Sequence, residues 1–145
     1  MQALELKLNL DSLRMSQKGS ITGEIWLELG DKSFPERHWS DFPTAVTAAL
    51  LGAALRLKDA TSGAKEEVWF LDGPYYAVLE QAQALAWLVS LQNMDGFSYV
   101  KSSVDGPASF ASIRKGVAAL VSECAARSWQ HPDISVLNDL LNASV

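Results

Sequence analysis

Cysteine occurs once in this chain, as Cys124, and histidine twice, as His38 and His131. One thiol cannot close an internal disulfide, so nothing points to an oxidising compartment. Neither histidine has cysteine, histidine or carboxylate partners at the short spacing a zinc site uses. A phosphate-cradling glycine loop is also missing. Gly52 stands alone in an apolar stretch, and Asp72-Gly73-Pro74 reads as a turn. No Ser-His-Asp order carries a local signature. Basic residues are in deficit, 12 against 17 acidic, for a net charge of −5. That balance argues against a nucleic-acid surface, which needs clustered Lys and Arg. The most apolar runs, residues 45–57 and 82–91, are too short to span a bilayer. The first residues, MQALELKLNL, lack the basic start and apolar block of a signal peptide. The expectation is a soluble cytoplasmic protein with no cofactor, no nucleic acid and no membrane among its partners.

What is present is enough for a core. The chain has 145 residues, 48% hydrophobic and 20% charged, and a domain of that size buries roughly 70% of its unfolded surface. A single domain spanning residues 1–145 follows. Leu4, Leu6, Leu8 and Leu10 alternate with polar residues, as in a half-buried strand. In residues 21–29, Ile21, Gly23, Ile25, Leu27 and Leu29 share one face, and Thr22, Glu24, Trp26 and Glu28 the other. The polar stretch 16–20 joins them as an antiparallel pair.

Residues 33–57 change character abruptly, from an aromatic-rich loop to a long Ala-rich apolar helix. Ser40 or Asp41 is placed to cap that helix, with Pro43 in its first turn. Phe42, Val46, Ala49, Leu50, Ala53 and Leu57 form its apolar stripe. Short strands follow at 67–71, 75–80, 85–91 and 97–101, with Asn93-Met94-Asp95-Gly96 as a hairpin turn. In the third of these, Leu85, Trp87, Val89 and Leu91 share a face, although the composition of residues 81–91 also favours helix. A second long helix is predicted over 108–129, with Phe110, Ile113, Val117, Leu120, Val121 and Cys124 facing inward. A short C-terminal helix begins near Pro132 and buries Ile134, Leu137, Leu140 and Leu141. Strands grouped apart from helices predict an α+β fold: an antiparallel meander sheet with two long helices on one face and a short C-terminal helix.

Each chemistry-bearing residue has a plain structural reading beside a functional one. Glu24 and Glu28 flank Trp26 on one strand face, about 13 Å apart by strand rise, too far for a glycosidase pair. They make either a solvated face with one exposed tryptophan or an acidic, aromatic-centred binding patch. His38 reads as a surface loop residue. Asp41 has a sufficient role as a helix cap, and Asp72 as a turn residue. Cys124 lies on an apolar stripe, where a thiol acts as a small hydrophobe.

The pattern Phe34-Pro35-x-x-x-Trp39-x-Asp41-Phe42 before an apolar helix, then Phe70-x-Asp72-Gly73-Pro74-Tyr75 opening a strand, resembles small bacterial immunity-type proteins of polymorphic toxin systems. The resemblance covers mainly residues 33–80. It implies a single α+β domain that binds and blocks a cognate toxin, with no enzyme activity and no cofactor. The chain departs from it in the Ala-rich stretch 47–54 and after Trp129. An acidic protein suits a basic partner such as a nuclease toxin, since opposite charge speeds encounter. The residues expected at the partner surface are Glu24, Trp26, Glu28, His38, Trp39, Asp72 and Tyr75. One alternative is a homodimer or other homo-oligomer sealed by exposed Trp26, Trp69 or Tyr75. Another is an enzyme or small-ligand binder whose cleft, between sheet and helices, uses Asp41 or Asp72.

Overall fold

A computed structural model describes residues 1–83 and 85–145. Its element order is β1 (Glu5–Met15), β2 (Ile21–Leu29), β3 (Lys32–Phe34), β4 (Ser40–Asp41), α1 (Pro43–Lys58), β5 (Lys65–Trp69), β6 (Tyr75–Gln81), β7 (Ala86–Asn93), β8 (Ser98–Asp105), α2 (Gly106–Ala126) and α3 (Pro132–Ala143). The α+β class holds. The strands divide between two antiparallel four-stranded sheets: β1-β2-β3 with β4 also on β2, and the meander β5-β6-β7-β8. The end of β8 is tied to the segment before β1, where the Asp105 N–H donates to the Gln2 carbonyl at 2.8 Å.

The first strand is longer than its leucine alternation suggests. Its register shifts between Asn9 and Arg14. There the Ser12 hydroxyl donates to the Asn9 carbonyl at 2.6 Å and accepts the Glu24 N–H at 2.8 Å. A side chain thus replaces a ladder bond and lets the strand continue past the bulge. Gly23 sits opposite, where a Cβ would lie 2.8 Å from Leu13 Cδ2.

The other edge of β1 faces α2. The Leu4 and Leu6 N–H groups donate to the Ser109 and Ser112 hydroxyls at 2.8 and 3.2 Å. Further along, Arg127 donates to the Leu13 and Leu10 carbonyls at 2.8 and 3.0 Å. An unpaired edge is a template for unwanted strand pairing, and helix side chains occupy this one.

Helix α1 is buried far more widely than one stripe. Thr44, Thr47, Leu51, Gly52 and Ala54 are buried together with the expected Val46, Leu50, Ala53 and Leu57, whereas Ala49 and Phe42 are exposed. It contacts β2 of one sheet, β5 and β6 of the other, and both other helices. A helix enclosed on several sides is apolar all round, and alanine lets neighbours approach closely. That is the physical reason for the Ala-rich run. Helix α2 buries Ile113, Val117, Leu120 and Cys124. Burial raises the Cys124 thiol above its ordinary pKa, so the neutral form is favoured.

The alternative of helix over residues 81–91 gives way to strand: Gln81 ends β6, and β7 begins at Ala86. Ala84, in that stretch, lies outside the described residues. Trp87, Val89 and Leu91 are buried as a shared face, but Leu85 is 70% exposed and precedes the strand. Among the described residues, no helix is long and apolar enough to cross a membrane.

Candidate functional site

The seven residues expected at a partner surface fall into two groups. Glu24, Trp26, Glu28 and His38 come together on the outer face of the first sheet. There Asn9 pairs with Glu24 and Lys7 with Trp26 across β1 and β2. His38 reaches back from the loop before β4, held at φ 63°, and its Nδ1 lies 2.8 Å from Glu24 Oε1. Its ring rests on Trp26 with centroids 4.9 Å apart. The Trp26 indole N–H donates to Glu28 Oε1 at 3.1 Å. Trp26 is therefore buried, only 6% exposed. That corrects the reading of an exposed tryptophan: period-two alternation puts it on the outer face, but the histidine covers it there. Glu24 has its pKa held below the ordinary 4.5, chiefly by the Asn9 side-chain hydrogen bond and then by His38, against some desolvation.

Trp39, Asp72 and Tyr75 belong to a second group that joins the two sheets, organised by Asp41. Helix α1 is capped at Phe42 without a side-chain hydrogen bond, so Asp41 is not the expected cap. Its carboxylate is 2% exposed and turns toward the other sheet. Oδ2 accepts the Trp39 indole N–H at 2.8 Å, and Oδ1 accepts the Phe42 N–H at 2.7 Å. Both oxygens accept the Leu71 N–H at 3.1 Å, and Oδ2 also accepts the Asp72 N–H at 3.1 Å. A buried carboxylate needs such compensation. Here two backbone donors come from a turn thirty residues away. The two motif segments thus touch each other.

Trp39 packs edge-on against Tyr75, centroids 5.3 Å apart. A Cβ on Gly73 would lie 3.0 Å from Trp39 Cζ2, a tight contact to which the indole would have to give way. From Tyr75 the aromatic cluster continues to Phe34 at 5.8 Å, which also meets Phe70 at 5.8 Å and Tyr99 at 5.7 Å. Tyr99 in turn meets Phe97 at 4.8 Å.

The centre of this cluster is enclosed, while its rim and the neighbouring turn residues Leu71 and Met94 are not. Phe34 and Phe70 are each 2% exposed, whereas Tyr99, Leu71, Phe97 and Met94 are 45, 55, 59 and 68% exposed. The β7–β8 hairpin tip is tied to the Asp72–Pro74 turn by the Met94 N–H, which donates to the Pro74 carbonyl at 2.9 Å. Asn93 Oδ1 further fixes the tip by accepting the Asp95 and Phe97 N–H groups at 3.0 and 3.1 Å. Exposed Asp72 and Asp95 border this apolar end.

No family profile, curated protein or solved structure matches the chain.

Leu71, Met94, Phe97 and Tyr99 were absent from the expected site. Their signal in the sequence is a tight turn with apolar residues on both sides, where turns are ordinarily polar. Among the described residues, no three His, Cys, Asp or Glu side chains gather as metal ligands would.

Proposed function

We propose that this is a non-catalytic protein-binding domain of the immunity type, which engages a cognate toxin with the aromatic end of its second sheet. The observation that carries the reading is the exposure of Leu71, Met94, Phe97 and Tyr99 on the turn and hairpin tip at one end of the second sheet, over a rigid base. Exposed apolar patches on otherwise ordinary surfaces mark interaction sites, and aromatic anchors near the centre of an interface carry most of its energy. The base matters as much as the patch. Asp41 and the aromatic stack fix the turn and hairpin before a partner arrives, which lowers the ordering cost of binding. Asp72 and Asp95 at the border, with the net charge of −5, suit a basic protein surface. In this reading the Glu24–His38 face supports the loop rather than contacting the partner.

The test is co-purification with the product of the adjacent gene, comparing the natural protein with a Leu71→Ser/Phe97→Ser variant. Retention by the natural protein and loss of at least about thirtyfold in affinity by the variant, which corresponds to about 2 kcal/mol, is the expected result. A neighbour that is not toxin-like, with no protein retained, removes the immunity reading. Concentration-dependent dimerisation abolished by the same variant would instead make the end a self-association surface.

A further inference from the structure

We propose that α3 carries an acid-sensitive N-terminal cap: His131 holds the first turn of that helix only while its ring is neutral, and acidification opens the turn.

The cap uses a ring nitrogen where helices ordinarily use a Ser, Thr, Asp or Asn oxygen. His131 stands extended at φ −158° before α3, and its Nδ1 accepts the Asp133 N–H at 3.0 Å. The neighbouring positions explain why that donor is the one left over. Pro132 has no N–H, and the Ile134 N–H already donates to the His131 carbonyl at 3.0 Å. A ring nitrogen accepts only when it is bare, because both nitrogens of an imidazolium are donors. A proton on Nδ1 would therefore set a donor against the Asp133 N–H. The helix dipole also opposes a positive charge at this end.

The Asp133 carboxylate acts in the opposite direction. Its Oδ2 lies 3.6 Å from Nδ1, so an imidazolium can pair with it. That same oxygen, however, accepts the hydroxyl of Thr44 on α1 at 3.1 Å, and Thr44 is 2% exposed. Turning it toward the ring gives up the bond between α3 and α1. Either response to the proton thus removes a contact that fixes the helix start. The helices packed against α3 bring no rival charge. The first turn of α1 has no acidic residue, and its Arg56 and Lys58 lie in its last turn. At the end of α2, Glu123 and Arg127 are paired with each other at 3.3 Å, and Arg127 is further committed to the β1 carbonyls.

Helix α3 is built to respond locally. It is 12 residues long and buries Leu137, and helices that short are marginal without caps and packing. Its far end is held differently, by Arg114 donating to the Ser144 hydroxyl at 2.8 Å, a bond that involves no imidazole or carboxylate. Opening is therefore confined to the first turn. The His131 side chain is 24% exposed, so protons reach it from solvent.

Solution NMR of the isotopically labelled full chain at about pH 8 and about pH 5, either side of the ordinary imidazole range, tests the device. At the higher pH the ring nitrogen shifts of His131 are expected to show a bare Nδ1. On acidification the helical carbon shifts of residues 133–136 should decline, with the open fraction of the turn rising about fivefold, as loss of one cap implies. His131→Asn supplies an acceptor that does not titrate and should keep the turn closed at both pH values. His131→Ala should leave it open at both. Overturning results are a proton on Nδ1 at the higher pH, a turn equally closed at both pH values in the natural protein, or the same acid response in His131→Asn.

Discussion

Replacing Asp41 by alanine tests whether the two motif segments are joined for construction. The carboxylate, 2% exposed, accepts hydrogen bonds from the Trp39 indole and from the Phe42, Leu71 and Asp72 backbones. The Asp72 donor belongs to an exposed residue, and water can replace its lost partner. The Phe42 donor lies on another exposed residue and counts for little for the same reason. The Leu71 donor lies on an exposed residue too, so the half-buried Trp39 indole is the costly donor, losing a bond to a charged acceptor worth about 1.5–3 kcal/mol. That loss of about 1.5–3 kcal/mol is a substantial part of a total stability of about 5–15 kcal/mol. Equilibrium urea unfolding followed by tryptophan fluorescence measures it. In a thermal melt the midpoint should fall by roughly 3–12 °C, at about 2–4 °C per kcal/mol for a chain of this size. Asp41→Asn keeps one acceptor and should cost about half as much. Asp72→Ala, on the same turn but exposed, should stay within about 0.5 kcal/mol. A cost below about 1 kcal/mol for Asp41→Ala would refute the hub.

Three further outcomes follow from contacts elsewhere. Glu24 titrates below the ordinary 4.5, so its contribution is present above that value and is lost as pH falls through the depressed folded value. Asn9→Ala should raise its midpoint more than His38→Ala does, read from the side-chain carboxyl carbon by NMR. Arg127→Ala frees the Leu10 and Leu13 carbonyls and should destabilise by about 2–3 kcal/mol, with faster amide exchange along β1. Arg127→Lys should recover little, since an ammonium cannot fork to two carbonyls as the guanidinium does. Gly106→Ala would place a Cβ 2.6 Å from the Leu85 carbonyl oxygen. It should cost about 1–3 kcal/mol by overpacking in the same urea measurement.

The elements were legible wherever a residue's neighbours along the chain decide its conformation. The Ile21–Leu29 strand, the hairpin at residues 93–96 and the inward face of α2 follow from local alternation, turn chemistry and helical spacing. What was hidden depends on distant partners. Asp41 carries the same local signal whether it caps its own helix or reaches Leu71, because both need a small carboxylate before Pro43. The Ala-rich run of α1 supports one stripe or burial all round, and only the positions of both sheets choose between them. Trp26 alternates correctly onto the outer face, yet a histidine twelve residues later covers it. The candidate surface was missed for a related reason: Phe97 and Tyr99 read as strand residues awaiting burial. In the fold the cluster behind them is already filled by Phe34, Phe70 and Tyr75.

The edge of β1 has a consequence for synthesis from the N-terminus. The Leu4 hydroxyl partner comes 105 residues later, and the Leu10 carbonyl partner 117 residues later. At roughly 5–20 residues per second of translation, that edge emerges many seconds before the helix that covers it. The β5–β8 meander, whose strands pair with sequence neighbours, meets no such delay. The last third of the chain is therefore what closes the first, and a nascent chain stopped before Arg127 exposes a bare strand edge to whatever is nearby.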